Sequence, residues 1–154
     1  MPDIDPRGQR FAAALTSIVL AAALVFGNGW LVAAQALIFA ISVLAGPHRS
    51  PYAVLFRTFV RPRLGPPREL EPAAPPRFAQ GVGLGFALVG AAGYLSGLST
   101  VGVIATGFAL GAAFLNATVG LCVGCEVYLL GRRALAALLS YRPQPVDSAR
   151  PTTF

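Results

Sequence analysis

The chain contains no lysine, so all 12 of its basic residues are arginines, and it has only six acidic residues and one histidine. Charged residues make up 12% of the 154 positions, whereas soluble domains carry about 25%. Hydrophobic residues make up 55%, more than a water-soluble core of this size can bury. This balance argues against a soluble domain and indicates a membrane protein.

Sequence motifs for common enzyme sites and for nucleic-acid binding are also missing. The chain has no phosphate-binding glycine loop, no Ser/His/Asp set and no paired carboxylates. Its net charge of +6 comes from dispersed arginines without interleaved aromatic residues, which does not match an RNA-binding module. We therefore expect no cofactor and no nucleic-acid partner, and we expect membrane lipids as the surroundings of the chain.

Four apolar stretches are present, at residues 11–27, 30–46, 79–98 and 101–131. A helix needs about 20 apolar residues to cross the hydrocarbon layer of a bilayer. The stretches predict an all-α fold, a four-helix transmembrane bundle made of two helical hairpins, in a single domain over residues 1–154. The fourth stretch is long enough that its last turns must tilt, bend or emerge from the membrane.

The arginines fall in three segments, before the first stretch, between the second and third, and after the fourth, whereas the turns at 27–29 and 97–100 carry no charge. Basic residues accumulate in cytoplasmic loops, so we predict an inner (plasma) membrane protein with both termini and the 47–77 loop in the cytoplasm. Within that loop, Ser50-Pro51 is a good helix start. The apolar residues that follow predict a short interfacial helix.

Glycines spaced four residues apart recur in the third and fourth stretches, as at Gly81 and Gly85 or at Gly107 and Gly111. Such pairs let a neighbouring helix backbone approach closely. Packing within one bundle and a homodimer face are both consistent with this spacing.

Residues 122–126, Cys-Val-Gly-Cys-Glu, are the strongest candidate for chemistry. In a helix Cys122, Cys125 and Glu126 share one face, so the cysteines can form a redox pair with Glu126 as the proton partner. Placed near the C-terminal end of the fourth helix, the pair would meet a dipole that disfavours the thiolate. Arg77 or Arg132 would have to offset this effect as a charge partner.

Two other interpretations of these residues stay open. One cysteine pair offers two of the four ligands of a structural zinc site, so a metal would need a second copy of the chain, or Glu126 and His48. Otherwise the cysteines fill a close helix contact. The buried amide of Asn116 predicts an interhelical hydrogen bond or, alternatively, part of a transport path.

The sequence resembles a family of small bacterial membrane proteins, domain of unknown function 4395. The resemblance rests on segments spread along the chain: 5–7, 10–11, Gln35, 50–52, 61–64, 75–80, 116–117 and 122–126. It implies a membrane protein with a cysteine pair, encoded near thioredoxin-like or sulfurtransferase genes, and it assigns no catalytic residue.

Together these observations predict a membrane-bound thiol-redox or sulfur-handling component. Its expected exchange partner is a thioredoxin-like or sulfurtransferase protein. The alternatives are a small transporter or channel component for a sulfur-containing anion and a structural membrane subunit without chemistry.

Overall fold

The computed structural model describes residues 4–67 and 69–140, and its regular structure there is helical. The helices are α1 (Pro6–Phe26), α2 (Gly29–Ala45), α3 (Pro51–Leu55), α4 (Ala74–Leu95), α5 (Ser99–Val119) and α6 (Val123–Ser140). The pair Ile4 and Glu71 forms an isolated antiparallel bridge. The predicted all-α class is therefore confirmed for this part of the chain.

Three of these helices, α1, α4 and α5, are long and apolar enough to cross a membrane. Helix α2 is also apolar but has 17 residues. The first three predicted stretches coincide with α1, α2 and α4 to within a few residues. The fourth prediction is wrong, because the 101–131 stretch is divided between α5 and α6.

The long helices form two hairpins that lie side by side. Helix α1 contacts α2 and α5, and α4 contacts α2, α5 and α6. The first turn depends on Gly27, whose φ of 59° is left-handed, and on Asn28, whose side chain accepts hydrogen bonds from the N–H groups of Trp30 and Leu31. A left-handed glycine ends one helix and an Asn cap begins the next, as the Gly-Asn-Gly sequence indicates.

The core where α1, α2 and α4 meet includes Ala23, Val32 and Ala87, all fully buried, together with Phe39. Gln35 is also fully buried. Its amide donates to the Thr16 hydroxyl (3.2 Å) and accepts from the Tyr52 hydroxyl (2.8 Å). The amide thus joins α1, α2 and α3, and burial raises the pKa of Tyr52, which keeps this hydroxyl a donor.

The loop helix begins at Pro51, as the Ser-Pro sequence predicts, and it continues beyond α3 as a π-helical turn, Phe56–Val60. Its Phe56 ring packs on Phe11 of α1, with centroids 5.7 Å apart. The loop helix therefore lies against the beginning of α1.

At the end of the hairpins opposite the two turns, arginine side chains form an ion pair and hydrogen bonds with residues of the helix ends and of the loop. Arg7 pairs with Asp5 (3.0 Å) and donates to the carbonyl of Gly65. Partial burial acts to raise the pKa of Asp5, but hydrogen bonds from the Arg7 side chain and backbone outweigh it, and the net pKa lies below its ordinary value. Arg77 donates to the Val43 carbonyl at the end of α2 (2.6 Å), where a cation complements the helix dipole.

The predicted glycine pairs differ in their surroundings. A Cβ added at Gly85, Gly107 or Gly111 would meet nothing within 4 Å. At Gly93 an added Cβ would lie 2.6 Å from the backbone nitrogen of Gly102. This contact lets α4 and α5 touch through their backbones near the second turn.

Candidate functional site

The site begins at a break in the predicted fourth helix. Gly120 takes a left-handed φ of 74° and its N–H bonds the Asn116 carbonyl (3.1 Å), which ends α5. Helix α6 starts three residues later, and the N–H of Glu126 donates to the carbonyl of Cys122 (3.0 Å). Cys122 thus directly precedes α6, and Cys125 belongs to the first turn of that helix.

This placement corrects the expected electrostatics of the pair. The sequence predicts both cysteines near a helix C-terminus, whereas they lie at the N-terminus of α6. The partial positive charge of a helix N-terminus favours a thiolate. The geometry therefore removes the main physical objection to an exchange-active cysteine pair.

The two sulfur atoms are joined in a disulfide, with the Cα atoms 5.2 Å apart. This separation is within the range that disulfides adopt. Both cysteines are partly exposed, so a solvent-side reagent has access to the bond.

A cavity of about 330 Å³ borders the disulfide, and five polar or charged side chains line it. Its lining comes from the starts of α1, α4 and α6 and from the end of α5: Pro6, Gln9, Arg10, Glu71, Pro72, Pro75, Pro76, Asn116, Gly120, Cys122, Cys125, Glu126 and Leu129. We call it the polar cavity. It brings both cysteines, Glu126 and Asn116 of the predicted set together.

An apolar cavity of about 320 Å³ lies between the long helices and shares Gln9, Pro76, Asn116 and Cys122 with the polar cavity. Its walls include Phe39, Phe86, Phe108, Val82 and Ala112, and Cys122 and Asn116 also line it. We call it the apolar cavity. Cys122 therefore faces both cavities, whereas Cys125 faces only the polar one.

Glu126 differs from its predicted environment. The sequence places it inside a membrane span, but its side chain is exposed in the first turn of α6. An acidic residue in the first turn interacts favourably with the helix dipole. Glu126 therefore lies with an exposed side chain at the rim of the polar cavity, and its predicted role as proton partner stays a prediction.

Neither predicted charge partner lies among the residues that line the two cavities. Arg77 donates to Val43 and lines a separate recess with Tyr128. Arg132 is exposed farther along α6. The predicted role of both arginines as charge partners of the thiols stays a prediction.

Arg10 is the cation that the sequence reasoning did not assign to the site. Its guanidinium donates to the carbonyls of Ala117 (3.3 Å) and Thr118 (2.9 Å) at the end of α5, and it lines the polar cavity with both cysteines. A cation at a helix C-terminus satisfies carbonyls that have no partner in the helix. In the sequence, Arg10 directly precedes the first apolar stretch and belongs to one of the segments that carry the family resemblance.

The metal interpretation receives no second set of ligands. Within residues 4–67 and 69–140, no group of three or more His, Cys, Asp or Glu side chains is placed to hold a metal ion. His48 lines a third cavity, of about 460 Å³, with Arg57 and Arg61 and without either cysteine.

Arg10→Gln should weaken the end of α5 and loosen the residues that carry Cys122. A cation at an exposed helix C-terminus contributes about 0.3–1 kcal/mol, so we expect a two- to fivefold faster alkylation of the reduced cysteines, measured by mass spectrometry. Arg63→Gln, which removes an arginine whose guanidinium donates to the Phe59 carbonyl within the loop, is the matched control. Equal alkylation rates in the two variants would contradict this role of Arg10.

A family model matches residues 4–133, and its description is Domain of unknown function (DUF4395). Comparison with curated proteins and with solved structures gave no match. The match covers the helices α1 to α5 and the cysteine pair.

Proposed function

The chain belongs to the family of domain of unknown function 4395, and we propose that it is a membrane-bound thiol–disulfide exchange protein whose working group is the Cys122–Cys125 pair. One observation carries the proposal: the two cysteines form a disulfide at a helix N-terminus, where the predicted fourth helix is interrupted and where Cys122 lines two cavities. A thiolate there attacks a partner disulfide, and the second cysteine resolves the mixed disulfide.

We place this chemistry in a four-helix transmembrane bundle formed by α1, α2, α4 and α5. Three of these helices are long and apolar enough to span a membrane, and α2 is apolar along its length. Many large side chains on the outside of the helices are exposed, including Phe26, Leu44, Phe108 and Val119. Lipid contact removes the free-energy cost of that exposure to water.

We assign the arginine-rich end of the bundle to the cytoplasmic side of the plasma membrane. The arginines of the loop and of the chain ends support that orientation. The polar cavity opens at the same end, beside Arg10. A thioredoxin-like or sulfurtransferase protein would therefore meet the cysteine pair from the cytoplasmic side.

A redox titration in oriented vesicles tests the function and the orientation together. Inside-out vesicles are equilibrated at graded thiol–disulfide ratios and then treated with a membrane-impermeant maleimide. The chain has only two cysteines, so we expect both to become labelled together at one midpoint, because a two-electron couple releases two thiols.

Right-side-out vesicles are the control for orientation and should show no labelling at any ratio. The Cys122→Ser variant is the control for redox coupling, since its single thiol should be labelled at every ratio. If Cys125 is labelled to the same extent in wild type and in the Cys122→Ser variant at every ratio, the proposed exchange function is wrong. Labelling of wild type only in right-side-out vesicles would reverse the orientation.

A further inference from the structure

We infer that the electron acceptor of the reduced cysteine pair is a lipid-soluble quinone, which binds with its ring in the apolar cavity beside Cys122. The inference rests on the proposed thiol-exchange function and adds the second substrate of the same site. It follows from the different surroundings of the two sulfurs: Cys125 faces the polar cavity alone, and Cys122 also faces the space between the membrane-spanning helices.

The apolar cavity has the size and lining of a site for a small flat ring. Its volume of about 320 Å³ is at the lower end of ligand pockets, which hold about 300–1,000 Å³. Phe39, Phe86 and Phe108 provide aromatic surface, and aromatic rings pack on one another in offset or edge-to-face arrangements. A water-soluble thiol would gain little from such walls.

The cavity continues into a groove on the outside of the bundle. Val82, Phe86 and Phe108 line both the cavity and an apolar groove between α4 and α5 that also includes Val89 and Ile104. The Phe86 and Phe108 rings stack at the junction, with centroids 6.0 Å apart, and are 38% and 64% exposed. A molecule with a ring and a hydrocarbon tail can therefore enter from the lipid, with the ring inside and the tail in the groove.

Three amide side chains supply polar groups inside these apolar walls. Gln9 on α1, Gln80 on α4 and Asn116 on α5 line the cavity. Amide N–H groups donate hydrogen bonds to carbonyl oxygens, and a quinone presents two carbonyl oxygens on opposite edges of its ring. The combination of aromatic walls, a few amide donors and a sulfur pair fits a quinone better than a lipid chain, which has no group for the amides.

The electron balance is complete with these two substrates. A partner dithiol reduces the Cys122–Cys125 disulfide by exchange and leaves as a disulfide. The two cysteine thiols then lose two electrons and two protons, and the sulfur–sulfur bond forms again. The quinone gains these two electrons and two protons at its carbonyl oxygens and becomes a quinol.

The test uses the full chain in vesicles of phosphatidylcholine and phosphatidylglycerol, with decyl-tailed benzoquinone as acceptor and dithiothreitol as reductant, under argon. Quinol formation is followed by the loss of quinone absorbance. We expect wild type to exceed the rate of the Cys122→Ser, Cys125→Ser double variant, which measures the uncatalysed reaction. We expect Ala112→Leu, which fills the apolar cavity, to lower the catalysed rate about tenfold.

Gly111→Leu is the matched control, because Gly111 is the adjacent residue of α5, lines neither the apolar cavity nor the groove, and has nothing within 4 Å of an added Cβ. Disulfide reduction by dithiothreitol is measured in each preparation by maleimide labelling. If Ala112→Leu lacks this reduction and is therefore misfolded, Gln80→Leu replaces it and should raise the KM for the quinone severalfold.

Two results would overturn the quinone assignment and leave thiol exchange standing: a reducible cysteine pair without quinol formation above the double variant, or equal quinol formation in wild type and in the folded cavity variants. If dithiothreitol cannot reduce the cysteine pair of the wild-type protein, the proposed thiol-exchange function itself is wrong.

Discussion

Replacing Cys122 with serine is expected to abolish thiol–disulfide exchange, lowering its rate by at least about 100-fold. The chain has no third cysteine to resolve a mixed disulfide, and Cys122 is the sulfur at the start of α6 that faces both cavities. The measurement is the oxidation or reduction of a thioredoxin-like protein by the full chain in vesicles.

Cys125→Ser provides the comparison for this experiment. It keeps the sulfur that the helix dipole favours as a thiolate, so it should attack a partner disulfide and stop at a mixed disulfide, visible as a covalent adduct on a non-reducing gel. Cys122→Ser should give much less adduct. Exchange in Cys122→Ser at more than about a tenth of the wild-type rate would contradict the assignment of Cys122 as the working sulfur.

Replacing Gly124 with valine should separate α6 from α4 and disrupt the cysteine site. A Cβ at Gly124 would lie 2.6 Å from the Ala79 Cβ and 2.7 Å from its Cα, and a backbone atom cannot move away as a flexible side chain can. Overpacking of this kind costs about 1–3 kcal/mol. We therefore expect a lower unfolding temperature in detergent and a loss of most exchange activity, because Gly124 lies between the two cysteines.

Gly131→Val is the matched control on the same helix, since an added Cβ at Gly131 meets nothing within 4 Å. It should keep both the wild-type unfolding temperature and the exchange rate. The separation of α6 from α4 can be followed by a distance measurement between labels at Phe78 and Tyr128, whose rings are 5.6 Å apart. Equal behaviour of the two valine variants would show that the α4–α6 contact does not hold the site.

Gln35 shows what a single polar residue in an apolar stretch predicts about hydrogen bonding and what it does not. An amide in such a stretch predicts a hydrogen bond between helices, and Gln35 indeed bonds both Thr16 and Tyr52. Its partners were not predictable, because Tyr52 belongs to the loop helix, whose position depends on packing against α1. The residue type alone predicts that the amide needs a hydrogen-bond partner. The identity of that partner depends on the tertiary structure.

The sequence alone determined the helical class, both turns between the hairpin helices and the start of the loop helix. Each of these depends on residues within a few positions of one another: apolar runs of a certain length, Gly-Asn-Gly as a cap and a start, and Ser-Pro as a helix beginning. It also identified the cysteine pair as the candidate site, because the spacing of two cysteines is a local property.

Only the tertiary structure decided that the pair begins a helix. Gly120 within an apolar run is compatible with a continuing helix that packs closely and with a left-handed helix end. In the folded chain Arg10, which is 107 and 108 positions away from its acceptors, bonds the last carbonyls of α5, and Ala79 of α4 receives Gly124 of α6. These contacts join distant parts of the chain, so no local pattern could show that the helix ends at Val119 or that the cysteines face two cavities.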